Sequence, residues 1–261
     1  MQNKEKIAIS IDKDLLRKID DVVDGVEVKS RSHAFELLLR KALESDVEEA
    51  IIFAGGKRKK EKPKPLLEIR GKPVLEYNLE WLKNNGVKKV YLAVSEKEEF
   101  EKKFGRGYHM GLQIDYLEEK EPLGTAGSLF MARNLFKKTF VAMNGDVMCS
   151  FDLKNMVQFH KKSRAIVTVA LREVKTVERY GSAMLEGDKV VEFVEKPKKE
   201  EVKGSLINAG VYILEPEIFG HLPKQGALEK EVFPKLVEKK LLSGYVFSGL
   251  FIDAEELEGK K

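Results

Sequence analysis

The sequence predicts an α/β protein in two parts, a small strand-helix-helix module over residues 1–48 and a larger α/β/α domain over residues 49–261. Three observations carry this. Residues 6–11 alternate strictly and are followed by two stretches with helical periodicity. From Ala50 onward, short β-branched runs alternate with helical patterns, which argues for a mixed, mostly parallel sheet with helices on both faces. Turn signals stand at the ends of several predicted strands, where ligands of such sheets bind.

Composition narrows the class. A chain of 261 residues with 43% apolar and 34% charged residues has enough material for a sizeable core. No apolar run is long enough to span a bilayer and no signal segment opens the chain, so the expectation is a cytoplasmic protein with no membrane partner. The single cysteine, Cys149, excludes an intramolecular disulfide and a cysteine-based zinc cluster. The net charge of +4 is too mild to argue for nucleic acid by itself.

In the first part, Ile7, Ile9 and Ile11 share one face of a predicted strand, and Lys6, Ala8 and Ser10 share the other. Asp12 reads as an N-cap before Leu15, Leu16, Ile19, Val22 and Val23 at helical spacing, and Gly25 stops that helix. Ser30 caps a second helix carrying Ala34, Phe35, Leu37 and Leu38. So small a unit cannot bury these faces alone, so a homodimer paired strand to strand is expected. The pattern resembles the ribbon-helix-helix family of DNA-binding proteins. That resemblance implies operator DNA as a partner. Lys6, Ala8 and Ser10 would reach into the major groove, and Ser30, Arg31 and Ser32 would hold a phosphate at a helix N-terminus.

In the second part, strands are predicted at Ile51–Phe53, Val90–Val94, Phe140–Met143, Ala165–Leu171 and Gly210–Leu214, with a hairpin turning at 186–189. Helices are predicted over 74–83, 127–135, 155–160 and 229–242. An ordered series of short motifs runs through them: FAGG, PKPLLEI, GKPVLEYNLEWL, EPLGTAG, NGD, YGSAM, FVEKP, NAGVYI, LEKEVFPKL and FID. In this order they resemble the sugar-1-phosphate nucleotidyltransferases, and within them the mannose-1-phosphate guanylyltransferase and glucose-1-phosphate thymidylyltransferase group. The resemblance implies a Rossmann-like domain in which a sugar phosphate attacks the α-phosphorus of a nucleoside triphosphate and pyrophosphate leaves. It places Ala54, Gly55, Gly56, Lys64, Pro122, Gly124 and Thr125 at the nucleotide. Gly181, Glu195, Lys196 and Asn208 fall at the sugar phosphate, and Asp146 and Asp253 at a magnesium ion. Lys64 and Asp146 are the matches to residues that act in the reaction.

Two departures stand out against that family. Its GGxGTRL loop is replaced by Gly55-Gly56 and a basic run, Lys57 to Lys62, so the turn that presents backbone N–H groups to phosphate is shortened. After the second aspartate the family reads DIGTPED, whereas this chain reads Asp253-Ala254-Glu255-Glu256. The expectation drawn from these departures is a sequence-specific transcriptional regulator. Its second domain would bind a nucleotide, nucleotide sugar or sugar phosphate as effector, with little or no catalysis. The alternative is an active sugar-1-phosphate nucleotidyltransferase, dimerised or autoregulated through the N-terminal module.

Overall fold

The computed structural model describes residues 5–43, 47–56 and 63–258. The chain divides into two compact units, Met1–Ser45 and Asp46–Lys261.

In the first unit, helix α1 (Lys13–Asp20) starts at Asp12, whose carboxylate accepts the N–H groups of Asp14 at 2.8 Å and Leu15 at 3.3 Å. Helix α2 (Arg31–Leu43) starts after Ser30, whose hydroxyl accepts the His33 N–H at 3.2 Å. These caps satisfy donors that a helix leaves open at its first turn. Asp24 shapes the connection by accepting three successive N–H groups, from Val26, Glu27 and Val28. Ile19, Val28 and Ala34 form a small core.

The strand expected at residues 6–11 does not form. A strand needs a ladder partner. Here Ile7 and Ile9 remain 72% and 53% exposed. Lys6, Ala8 and Ser10 therefore lie on an unpaired, exposed segment. The Arg31 guanidinium forks onto Asp20 at 2.5 and 2.7 Å, which holds the Asp20 carboxyl below its usual range. The hydroxyl of Ser30 is likewise occupied as a cap.

The second unit opens with β1 (Glu49–Phe53), a hairpin of β2 (Glu68–Ile69) and β3 (Lys72–Pro73), and α3 (Val74–Asn84). It continues with β4 (Lys89–Val94), α4 (Lys97–Phe104), β5 (Gln113–Glu118) and α5 (Gly124–Met131). Next come β6 (Phe140–Asn144), β7 (Val147–Ser150), α6 (Leu153–Ser163), β8 (Val167–Glu173), β9 (Gly181–Glu186) and β10 (Lys189–Glu195). The last elements are β11 (Leu206–Leu214), α7 (Phe233–Glu238), β12 (Leu242–Val246), β13 (Leu250–Asp253) and the short α8 (Glu255–Glu258).

Nine strands form one sheet in the order β5-β4-β1-β6-β11-β8-β12-β10-β9. Strands β5, β4, β1 and β6 are parallel, as are β8 and β12. Strand β11 runs antiparallel to both β6 and β8, and β10 is antiparallel to both β12 and β9. The sheet is thus mixed rather than mostly parallel. Both faces are covered. Leu75, Leu79 and Leu82 of α3 and Phe100 and Phe104 of α4 pack on one face. Leu129 of α5 and Phe233 and Leu236 of α7 pack on the other, with Phe136 and Phe140 stacked 4.0 Å apart. Burial on both faces explains why β1 and β4 are apolar without alternation. The helix expected over 229–242 gives way to strand β12 at Leu242, where Gly244 allows the Leu171 and Leu185 side chains to close over the chain. Strands β2, β3, β5, β7 and β12 lay outside the expected set. No helix among the described residues is long and apolar enough to cross a membrane.

A buried histidine pins the layers together. His160 on α6 places Nδ1 2.7 Å from the Thr168 hydroxyl and Nε2 3.1 Å from Glu215. A carboxylate only accepts, so Nε2 carries the proton and the Thr168 hydroxyl donates to Nδ1. Burial holds the His160 pKa below 6.5, against the opposing pull of the Glu215 charge. The unfolded chain therefore takes up this proton first, and stability falls as pH drops below about 6.5 toward the lower folded value. Urea midpoints measured from pH 7.5 down to 5.5 are expected to decline through this window, and His160→Gln should flatten the decline.

Candidate active site

The carboxyl ends of β1, β5 and β6 converge on a cavity of about 510 Å³. Its wall includes Gly55, Gly56, Lys64, Pro122, Gly124, Thr125 and Asp146 from the expected set, together with Glu119, Ser128 and Asn144. Ala54 lies buried beneath it, its N–H bonded to the Ala93 carbonyl at 2.8 Å. The basic run Lys57 to Lys62 lies outside the described residues.

The glycines are small for local reasons. A side chain at Gly55 would press on the Glu119 carboxylate. Gly124 has φ +72°, and a Cβ there would meet the Gly226 carbonyl. The first turn of α5 is held by this contact, since the Ala126 N–H donates to the Gly226 carbonyl at 3.0 Å.

Glu119 escaped the sequence reading. It follows β5 directly, is 5% exposed, and accepts the Ser128 hydroxyl. Recognising β5 would have placed it at a strand's carboxyl end, facing the same cleft as the glycines. Glu229 was also missed. It is buried, and its two oxygens accept the hydroxyls of Thr125 and Tyr212, each at 2.9 Å. Tyr212 in turn accepts the Asn208 amide at 2.8 Å. Burial, reinforced by the Glu229 charge, raises the Tyr212 phenol well above its usual range and keeps it a neutral donor. This chain of bonds ties Thr125 in the cavity wall to Asn208 on β11.

At the cavity mouth, the 3₁₀ turn Lys64–Leu66 is anchored by buried Pro65 and Leu66. Lys64 Nζ lies 3.8 Å from the Asp146 carboxylate. Strand β13 pairs with β7 so that Asp253 stands opposite Val147, and the Ala254 N–H donates to the Asp146 carbonyl at 2.9 Å. Asp253 is thereby strapped alongside Asp146. Burial raises both carboxyls above the usual range. The Asp146 charge raises Asp253 further, while Lys64 pulls Asp146 back.

Gly181, Glu195, Lys196 and Asn208 lie outside the cavity wall. Glu195 and Gly181 face each other across the β9–β10 pair, and a Cβ at Gly181 would strike Phe193 and the Glu195 carboxylate. Burial, then the Glu229 charge, raises the Glu195 carboxyl. Lys196 holds φ +51°, an unusual backbone for a side-chain-bearing residue and of the kind that collects at binding sites.

The profile of the family described as Nucleotidyl transferase matches residues 49–251. The chain belongs to this family. A mannose-1-phosphate guanyltransferase of Saccharomyces cerevisiae is 37% identical over 202 residues, covering 73% of this chain and 55% of the relative. The mannose-1-phosphate guanylyltransferase catalytic subunit beta of Danio rerio is 36% identical over 199 residues, with the same two coverages. The chain thus spans just over half the length of these relatives. Among solved structures, HddC from Yersinia pseudotuberculosis complexed with GMP-PN aligns with a TM-score of 0.67 at 30% identity, covering 80% of this chain and 94% of that one.

These relatives overturn the expected DNA-binding regulator with a non-catalytic effector domain. They bear the names of enzymes and favour the nucleotidyltransferase alternative. The shortened loop after Gly56 is not a reliable sign of lost activity, because loops tolerate changes of length better than strands do.

Gly124→Ala combines a disfavoured backbone angle with a steric conflict against Gly226. It is expected to lower stability by about 1–3 kcal/mol and to weaken nucleotide binding at this wall. Chemical denaturation and nucleotide titration of the same variant check both.

Proposed function

We propose that the chain is a sugar-1-phosphate nucleotidyltransferase that joins a guanine nucleotide to a hexose 1-phosphate, mannose 1-phosphate being the first candidate. The observation that carries the reading is the meeting of Lys64, Asp146 and Asp253 at the mouth of a glycine-lined cavity. The names of the relatives support the choice of base and sugar.

In this reaction a phosphate oxygen of the sugar phosphate forms a bond to the α-phosphorus. The bond from that phosphorus to the bridging oxygen breaks, and pyrophosphate carries the electron pair away. The protein's part is alignment and charge compensation. Lys64 offsets nucleotide phosphate charge, and Lys196, beside Glu195 and Asn208, takes the sugar phosphate. Gly55 and Gly124 make room for the Glu119 carboxylate and the Gly226 carbonyl, which shape the wall the base would meet. Glu119 supplies an acceptor-only carboxylate at the same wall. Guanine is the base whose pairing edge offers two adjacent donors, N1–H and the 2-amino group, which suits a carboxylate.

Among the described residues, no group of three or more His, Cys, Asp or Glu side chains is arranged to hold a metal. Magnesium does not require one, since it is bound through one or two carboxylates with water and substrate phosphates. Two neighbouring half-buried carboxyls whose pKa values are both raised suit such a cation, so Asp146 and Asp253 would hold it. When bound, it would stabilise negative charge developing on the phosphates.

The first unit fits a pairing role. Ile7 and Ile9 are exposed on a segment that alternates like a strand, which suits the matching segment of a second copy and the ribbon-helix-helix resemblance.

With GTP, mannose 1-phosphate and magnesium, the protein is expected to release pyrophosphate in a coupled assay. Asp146→Ala should lower the rate by roughly 100-fold or more. Release that is absent, or unchanged in the variant, would sink the proposal. In sedimentation velocity the protein is expected to run as a dimer and Ile9→Asp as a monomer, with unchanged turnover per chain.

A further inference from the structure

Glu255 occupies an unusual position. It stands one residue past Ala254, and its N–H is held by the Asp253 carboxylate at 2.8 Å. One oxygen of its carboxylate bonds Lys64 Nζ, and the other lies 3.5 Å from the Arg179 guanidinium. Lys64, through its bond and then its charge, does most to hold the Glu255 carboxyl below its usual range, and Lys196 and Arg179 add to the pull. Lys64 and Arg179 therefore contact this carboxylate, and Lys196 lies near enough for its charge to be felt there. They come from three separate places in the chain: the turn after the glycine loop, the segment before β9, and the end of β10.

A surface ion pair of this kind contributes little to stability. Arg179 and Glu255 are 49% and 42% exposed, so an incoming anion can exchange with the carboxylate at little cost. Two of the three cations, Lys64 and Lys196, are those placed above at the nucleotide and at the sugar phosphate. An anion that satisfies all three must carry several negative oxygens over a short span. A diphosphate does so, and a guanidinium is well matched to phosphate oxygens.

We propose that Arg179 is a third phosphate-binding residue which, with Lys64 and Lys196, cradles a diphosphate, and that Glu255 is the counter-anion this diphosphate displaces. The proposal rests on the nucleotidyl-transfer reading. It also assigns a phosphate-binding arginine to a chain whose glycine loop lacks the family's GTR tripeptide. The diphosphate has two sources, the product nucleotide sugar and the released pyrophosphate.

Calorimetric titration of the full chain in EDTA separates these sources and keeps any metal out of the readout. The ligands are GDP-mannose, inorganic pyrophosphate and GMP. Arg179→Ala is expected to weaken one or both of the first two by roughly tenfold, and Arg179→Lys to recover part of the loss. Glu255→Gln is expected to tighten the same ligand several-fold. GMP, which has no diphosphate, should bind all variants alike.

A loss confined to GDP-mannose assigns the cradle to the product, and a loss confined to pyrophosphate assigns it to the leaving group. Equal losses for GMP, unchanged affinities, or weaker binding in Glu255→Gln would overturn the proposal. Synthesis of GDP-mannose by the unaltered protein is assayed in parallel. Turnover with no effect of Arg179 on either diphosphate refutes the cradle alone. The expected binding pattern without turnover upholds the cradle and refutes the enzymatic reading.

Discussion

The ladder between β7 and β13 is the constraint on which the site depends. It brings the end of the chain back beside the NGD turn and forces Asp253 to stand next to Asp146. Two carboxylates held together repel each other, and burial adds to the cost of their charge. Lys64 offsets part of that cost from one side. The ladder is itself supported from below: the buried Asn78 of α3 donates to the Val147 carbonyl at 2.8 Å, and Trp81 donates to the Phe151 carbonyl at 3.1 Å. Helix α3 thus links the hydrophobic core to the placement of the two acids.

A second constraint runs across the sheet. Glu229 receives Thr125 from one side and Tyr212 from the other, and Tyr212 orients Asn208. All four side chains are paired, which is how a buried carboxylate becomes tolerable inside a protein. Glu229 sits in a π-helical turn, Leu228–Val232, that leads into α7. The bonds run from the wall of the cavity to Asn208, so the two halves of the proposed site are joined by one hydrogen-bonded chain.

Much of the second unit was legible because its signals were local. Apolar runs such as Ile51–Phe53 and Phe140–Met143 mark strands buried on both faces, and the glycines in the first turn of α5 mark a tight approach. Gly55, Lys64, Gly124, Thr125 and Asp146 come together around one cavity as the motif order implies. Glu119 and Glu229 were not legible, because each carries its meaning through partners distant in sequence. Strand β5 reads as a polar stretch, Gln-Ile-Asp-Tyr-Leu-Glu, because it forms an edge of the sheet. Residues 6–11 show the opposite limit. Their alternation is that of a strand, yet alternation supplies no hydrogen-bonding partner, and no strand among the described residues pairs with them. The departures from the family's loop sequences point to loss of chemistry, yet Lys64 and Asp146 still stand beside each other, held by a buried turn and a strand end.

Isotope exchange distinguishes nucleotidyl transfer at this cavity from binding alone. GDP-mannose, magnesium and ³²P-labelled pyrophosphate are incubated with the protein, and labelled GTP is sought. Catalysis predicts label in GTP at a rate that depends on Asp146. Binding of GDP-mannose and pyrophosphate with no label in GTP would contradict it.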